Sequence, residues 1–288
     1  MIARASPRSK SKVTHVSNAD AVRVAALGLL LSLLPLGVCA QGEAQSAEEL
    51  AKKLSNPIAS LISVPLQGNY DDNIGPARDG HRFTLNIQPV IPIELNKEWN
   101  LISRTILPIT DQHNIFPGAG NQSGIGDVVQ SFFFSPKAPT ADGWIWGAGP
   151  VLLLPTGSDD LLSARKWGAG PTGVALRQES GWTYGLLFNH IWSFAGDSDR
   201  SHVSSTFLQP FLAYTTKDAW TYGLNTESTY DWNAKQWSVP LNASISKLVR
   251  FGKQPVSLGL NARYWAESPD SAPHGWGIRF IVTFLFPA

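Results

Sequence analysis

The chain has 288 residues, of which 43% are hydrophobic and only 16% are charged, and its formal net charge is +1. Such a high apolar content excludes a disordered chain. The near-neutral charge excludes a nucleic-acid binder that works by bulk electrostatics. The single cysteine, Cys39, excludes a disulfide framework and a cysteine-based metal site.

The first forty residues have the pattern of a signal peptide. A basic lead precedes the apolar run 24–38, which is too short to span a bilayer comfortably. The small residues Val38 and Ala40 predict cleavage between Ala40 and Gln41. Lipid attachment at Cys39 and an uncleaved anchor helix are the alternatives. Removal of 1–40 takes away five basic residues, one acidic residue and Cys39, so the mature chain has a formal charge of −3.

Residues 41–57 are predicted to form a short periplasmic helix and its linker. Ser46 and Glu49 have the spacing of a capping box, and Leu50 and Leu54 fall on one helical face. Entry of this helix into the periplasmic mouth of the domain that follows, as a plug, is a hypothesis that the sequence leaves open.

Residues 58–288 alternate between apolar and polar positions, which is typical of strands with one apolar face. No run there has eighteen consecutive apolar residues, so no transmembrane helix is expected. The predicted strands cover 58–67, 82–95, 99–110, 124–135, 143–155, 171–178, 182–194, 203–215, 220–230, 237–248, 255–265 and 275–286. The fold class is therefore predicted to be all-β, an antiparallel transmembrane β-barrel of about twelve strands with a short N-terminal helix.

The connections between these strands alternate in length. Short ones lie near 96–98, 136–142, 179–181, 216–219 and 249–254, whereas most of the others are longer. Outer-membrane barrels have short periplasmic turns and longer external loops. The pattern predicts the bacterial outer membrane as location, with both chain ends of the barrel on the periplasmic side.

Tryptophan recurs at the ends of the predicted strands. Trp99, Trp144, Trp182 and Trp220 each follow a short turn and are predicted to form a periplasmic aromatic girdle. Trp192, Trp232, Trp237 and Trp276 lie near the other strand ends and would belong to the outer girdle. Filling of a soluble core is the alternative reading.

Six prolines lie inside predicted strands, although proline cannot donate a ladder hydrogen bond: Pro89, Pro92, Pro108, Pro150, Pro210 and Pro240. A closed barrel has no edge strand to hold them. We therefore expect them at bulges or near strand ends.

Polar residues on the inward face of the predicted strands define the candidate solute path. They are Asn86, Gln88, Arg104, Arg177, Asn225, Glu227, Asn242, Asn261, Arg263 and Arg279. Charges inside a membrane span must face water or a partner. Two readings stay open: a polar constriction that selects solutes, or salt-bridged packing of the interior.

Enzyme chemistry has one weak candidate. His202 and Ser204 lie two residues apart on one strand face, as a general base and a nucleophile of a lipid hydrolase would. The pairs Asp71–Asp72 and Asp159–Asp160 lack the spacing of a calcium loop. No catalytic residue, metal or cofactor is predicted in the leading interpretation.

Seven sequence runs together resemble one bacterial family. They are NPIASLISVPLQGNYD from Asn56, LNIQPVIPIEL from Leu85, WNLISRTILPI from Trp99, GDVVQSFFFSPK from Gly126, KWGAGPTGVAL from Lys166, LNTESTYDW from Leu224 and WGIRFIVTFLFP from Trp276. The family is labelled "MetA-pathway of phenol degradation", and some members carry the label neuromedin U. The resemblance covers nearly all of the mature chain and implies an outer-membrane transporter, with phenol-type compounds as the solute class.

The predicted function is therefore an outer-membrane channel for passive passage of small solutes, including aromatic ones. The alternatives are the lipid hydrolase and a non-conducting structural barrel. The expected partners are outer-membrane lipid, lipopolysaccharide, the barrel-assembly machinery and a small-molecule solute. Nucleic acid is not expected as a partner, and the protein is predicted to be a monomer.

Overall fold

The computed structural model describes residues 46–287. The predicted signal peptide, with its cleavage site and Cys39, lies outside the described residues. The helix α1 (Ala47–Leu54) precedes the barrel strands. In chain order these are β1 (Ile62–Ile74), β2 (Gly80–Ile87 and Val90–Glu94), β3 (Trp99–His113), β4 (Asn121–Ile125 and Val128–Pro136), β5 (Trp144–Leu154), β6 (Lys166–Glu179), β7 (Trp182–Gly196), β8 (Ser204–Thr215), β9 (Trp220–Thr226 and Ser228–Asp231), β10 (Gln236–Phe251), β11 (Gln254–Glu267) and β12 (Gly275–Phe286).

The strands form one closed antiparallel barrel. Each pairs with its neighbours in sequence, and β1 pairs with β12 from Ile62 opposite Phe286 to Asp71 opposite Gly277. Three strands are interrupted within their length, so the fifteen ladder segments of the described chain make twelve strands. Closure leaves no edge and satisfies the backbone without water, as hydrocarbon requires. The predicted fold class is confirmed.

The bounds of β1 differ most from the prediction of 58–67. The strand begins at Ile62 and ends at Ile74, and so it includes the run of polar residues around Asp71 that resembles a loop in the sequence. Within that run the alternation persists, because Asp71 is 6% exposed and points inward whereas Tyr70 is 42% exposed and points outward. The loop that follows therefore shrinks to 75–79, and several other outer loops are shorter than predicted.

Each in-strand proline lies at or beside a position that lacks a ladder partner on one side. Pro89 separates the two segments of β2, and Pro108 faces the interruption of β4. Pro210 and Pro240 flank the break that Glu227 makes in β9, one on each neighbouring strand. The missing N–H of a proline costs little stability where the neighbouring strand offers no ladder partner. The barrel thus accommodates its prolines by local interruption of the ladder.

The described N-terminal residues lie inside the barrel at its short-turn end. We call residues 46–61 the plug segment. Leu50 and Ala51 of α1 pack in one buried cluster with Ala219, Leu248 and Leu285. Further along the segment, Ile58 belongs to a second cluster, formed with barrel residues Ile102, Phe133, Val174, Leu176 and Leu187. Two apolar clusters therefore join the plug segment to the inner wall of the barrel at this end.

Ser46 begins α1 with the predicted capping box. The Ser46 hydroxyl accepts from the Glu49 N–H, and the Glu49 carboxylate accepts from the Ser46 N–H, both at 3.1 Å. Replacement of an N-cap serine by alanine costs about 1 kcal/mol of helix stability. We expect Ser46→Ala to speed hydrogen exchange of the α1 amides without changing that of the barrel. Glu48→Gln, in the same turn but outside the box, is the control. Equal exchange in Ser46→Ala and the unchanged protein would contradict the role of the box.

Candidate functional site

The structure places nine of the ten predicted solute-path residues on the inner face of the barrel wall. These are Asn86, Gln88, Arg104, Asn225, Glu227, Asn242, Asn261, Arg263 and Arg279. Their register positions align across adjacent strands with buried side chains such as Asn69 and Ser131. The inward alternation read from the sequence therefore locates them, while a role in solute passage stays a prediction.

Arg177 is the exception and lies on the outer face. It stands opposite Trp144 and Tyr184 in the sheet and makes an ion pair with Glu179 at 3.1 Å. The inner face of β6 carries Val174 and Leu176, which share a buried cluster with Ile58 of the plug segment. Leu176 therefore points inward against Ile58, and alternation sends Arg177 outward. Near the short-turn end its guanidinium can reach the interfacial zone.

A carboxylate that bridges two arginines forms the most highly charged part of the interior. Glu227 interrupts β9 and projects inward. Its two carboxylate oxygens accept from Arg279 at 2.7 and 2.8 Å, and one also accepts from Arg263 at 3.0 Å. Both arginine side chains are less than a tenth exposed. Asp71 adds a second carboxylate 3.4 Å from Arg263. We call these four residues the ion cluster.

Amides and one indole complete the hydrogen bonding of the ion cluster. Asn69 accepts from Nε of Arg279, and Asn242 accepts from Nε of Arg263 at 3.1 Å. The indole N–H of Trp265 donates to Asp71 at 2.9 Å. Buried ion pairs persist only where the remaining polar atoms are also satisfied, and this arrangement meets that condition.

Sequence reasoning missed Asn69, Asp71 and Trp265. The first two were assigned to a loop, although continued alternation on either side of Tyr70 is a signal that could have found them. No role was predicted for Trp265, and a tryptophan in a barrel strand usually faces lipid. Here it turns inward beside Arg263, whose guanidinium carbon lies 5.5 Å from the ring centroid.

A second polar group lies closer to the plug segment. Arg104 donates to Gln88 at 3.1 Å, and Gln88 donates to Gln67 at 2.8 Å. Further towards the loop end, Arg82 donates to Gln112 at 3.0 Å. Arg82, Arg104 and the ion cluster together place four arginines on the inner wall between the plug segment and the loop end. The same wall carries only two carboxylates of these groups, those of Asp71 and Glu227. This part of the interior has a net positive charge.

An interior cavity of about 290 Å³ separates the plug segment from the polar wall. Lys53 and Pro57 of the plug segment line one side. Gln88, Arg104 and Phe211 of the barrel line the other. The cavity is therefore bounded by cationic, amide and apolar groups at once.

All eight predicted girdle tryptophans lie on the outer face. Trp99, Trp144, Trp182 and Trp220 begin strands at the short-turn end, and Trp192, Trp232, Trp237 and Trp276 lie towards the loop end. Between the two groups the outer face exposes large apolar side chains, including Leu224 and Phe280 at 58% each. An exposed apolar belt of this kind calls for lipid around it.

The structure does not bring the proposed hydrolase pair together. Nδ1 of His202 lies 3.4 Å from the hydroxyl of Ser193, and that hydroxyl also accepts from the backbone N–H of Val203. Ser204 instead stands opposite Trp192 in the ladder. Over residues 46–287 no three His, Cys, Asp or Glu side chains are grouped to hold a metal ion.

A closed twelve-stranded barrel with an apolar outer belt and a polar, charged interior defines an outer-membrane β-barrel protein, and this is the class to which the chain belongs. Within residues 46–287, α1 is far too short and polar to cross a bilayer, and no described helix qualifies as a membrane span.

Among solved structures, the fold is similar to an outer-membrane channel from Pseudomonas putida F1, with a TM-score of 0.62 and 14% identity over 79% of this chain and 96% of that chain. The NanC porin gives a TM-score of 0.48 and 10% identity over 78% and 100%. Outer membrane phospholipase A from Escherichia coli gives 0.44 and 12% over 85% and 99%. At these identities the likeness concerns the fold alone.

Sequence comparisons add no assignment. A scan of protein families matches none, and no curated protein matches the sequence. The resemblance to the phenol-degradation family therefore stays a prediction.

Proposed function

We propose that this protein is an outer-membrane channel for passive passage of small solutes through the barrel interior. The observation that carries the proposal is the polar inner wall of the barrel, where Arg104, Gln88 and Asn225 line the cavity next to the plug segment and the ion cluster lies further towards the loop end. Polar side chains of this kind line solute paths and set their selectivity. The similarity of the fold to a solved outer-membrane channel supports the same conclusion.

The width of the path limits the solutes to small ones. Eight-stranded barrels are filled by side chains, whereas barrels of sixteen or more strands leave an aqueous channel. Twelve strands lie between these cases, and here the plug segment occupies the short-turn half. Passage therefore requires the plug segment to shift, and the segment would act as the gate of the channel.

Aromatic solutes are the finer part of the proposal. The resemblance to the phenol-degradation family supports them, and the ring of Phe211 in the cavity wall offers an apolar surface for a single ring. Outer-membrane lipid and lipopolysaccharide would surround the barrel, and the barrel-assembly machinery would insert it. We propose that it works as a monomer.

Liposome swelling measures this function directly. We expect liposomes that contain the refolded mature protein to swell faster than empty ones in monosaccharides. We expect the same in phenyl glucoside, because Phe211 in the cavity wall offers its phenyl ring an apolar surface. Swelling in a tetrasaccharide should fall to the rate of empty liposomes. A disaccharide of similar size is the control for phenyl glucoside. Equal rates for these two would remove the aromatic preference, and no swelling in any solute would contradict the channel.

A further inference from the structure

The interior cavity has the features of a binding site as well as of a passage. We propose that it binds a small organic carboxylate that carries one apolar ring. This inference rests on the proposed channel function, since it names the solute class that the channel would take up. It depends on the charges, donors and apolar surfaces that meet at the cavity.

The charge at the cavity is positive, and no carboxylate of the described residues lines it. Arg104 and Lys53 line it from opposite sides, one on the barrel wall and one on the plug segment. Among the described residues no carboxylate forms an ion pair with either of them. Glu227 attracts Arg104 at longer range, but both of its carboxylate oxygens already accept hydrogen bonds from Arg279 or Arg263. A cation that lacks a direct ion pair favours an anionic ligand.

The negative end of α1 also points towards this cavity, but its carbonyls are occupied. The Lys52 carbonyl accepts from the Gln178 amide at 2.8 Å, and the Lys53 carbonyl accepts from the Asn56 N–H at 3.0 Å. Because these groups are satisfied, their partial negative charge opposes an anion less than free carbonyls would. Lys53 itself lies in the last helical turn and offsets it further.

The donors present suit a carboxylate. A guanidinium presents a planar fork that matches a carboxylate with two parallel hydrogen bonds. The hydrogen bond of Arg104 to Gln88 uses Nη2, which fixes the orientation of the fork beside the cavity. The amide of Asn225 lies on the same cavity wall and is held by a 2.9 Å bond from Asn242.

The remaining lining favours a ring on the ligand. Pro57 and Ala59 of the plug segment face Val90 and Phe211 of the barrel across the cavity. A cavity of about 290 Å³ lies just below the range of roughly 300–1,000 Å³ that holds drug-sized ligands. One ring with one carboxylate is therefore the class that fits both the volume and the lining.

Binding of benzoate to the full mature protein in detergent, measured by titration calorimetry, tests this inference. We expect benzoate to bind more tightly than acetate, which lacks the ring, and benzyl alcohol, which lacks the charge. Arg104→Gln should weaken benzoate binding by about tenfold or more, because a charge-assisted hydrogen bond is lost. Lys53→Gln should weaken it in the same direction, and it leaves the barrel wall unchanged.

Lys247→Gln is the matched control. Lys247 lies on the outer face, 4.8 Å above the ring of Trp220, and should leave benzoate binding unchanged. Equal binding of benzoate and benzyl alcohol, no binding of benzoate, or unchanged affinity in both Arg104→Gln and Lys53→Gln would overturn the inference. Solute flux without benzoate binding would leave the channel standing and refute this site. Benzoate binding without solute flux would support this site and contradict the channel.

Discussion

Deletion of residues 46–60 is expected to raise the single-channel conductance several-fold in a planar bilayer. These residues fill the short-turn half of the interior, where Leu50 and Ile58 pack in two apolar clusters against the barrel wall. An apolar constriction excludes water and ions, so its removal should leave a continuous wet path. The barrel itself closes through β1 and β12, which the deletion does not touch.

Two point variants test whether the plug segment must be docked against the barrel wall, and not only be present, to close the channel. Leu50 is fully buried, and truncation of such a leucine costs about 2–5 kcal/mol. Leu50→Asn should therefore release α1 and raise the frequency of open events. Glu48→Asn introduces the same side chain two residues away, outside the buried cluster, and should change the currents little. If the variant that lacks residues 46–60 has the same single-channel conductance as the unchanged protein, the plug segment is not the gate.

Glu227→Gln is expected to destabilise the barrel by about 3–5 kcal/mol, the cost of breaking a buried ion pair by removal of one partner. Glu227 holds Arg263 and Arg279 within 3.0 Å, and neutralisation would leave these two cations facing each other. Asp71 makes a direct ion pair with Arg263 but not with Arg279, so it offsets only part of the loss.

The free energy of unfolding in urea, with the protein in lipid vesicles, measures this effect. Glu98→Gln provides a matched control, because Glu98 lies in an exposed turn at the short-turn end. A second readout is the reversal potential in a salt gradient, which should shift towards anions as the interior loses a negative charge. Unchanged stability and selectivity would mean that the ion cluster is solvated and dispensable.

The sequence predicts the strands of the barrel wall better than it predicts which side chains and segments lie inside the barrel. Alternation identifies every strand because one face must meet lipid and the other must not, and this constraint acts at every residue from Trp276 to Phe286. The predicted strand 58–67 nevertheless ends before Asp71, because the polar residues there resemble a loop although the alternation continues. The length of a strand beyond the bilayer depends on pairing with its neighbours, which local sequence does not encode.

The contents of the interior depend on which segments meet there. Arg177 was predicted to face inward because a polar residue was expected to avoid lipid. Leu176 instead packs inward in one cluster with Ile58, more than a hundred residues earlier, and alternation along β6 then places Arg177 outward. The capping box of Ser46 shows where the plug segment's helix begins, but its docking against Ala219 and Leu248 is a tertiary contact that no local pattern reveals.

The most direct test of a solute path through the interior is thiol block of the current. Mature protein lacks other cysteines if cleavage follows Ala40, so Ser244→Cys and Ile245→Cys each provide one reactive site. Ser244 lines the cavity, and its neighbour Ile245 lies on the outer face, 38% exposed. A charged thiol reagent that does not cross lipid should block the current of Ser244→Cys and leave that of Ile245→Cys unchanged. Equal currents before and after the reagent in Ser244→Cys, or block in both variants, would contradict passage through the cavity.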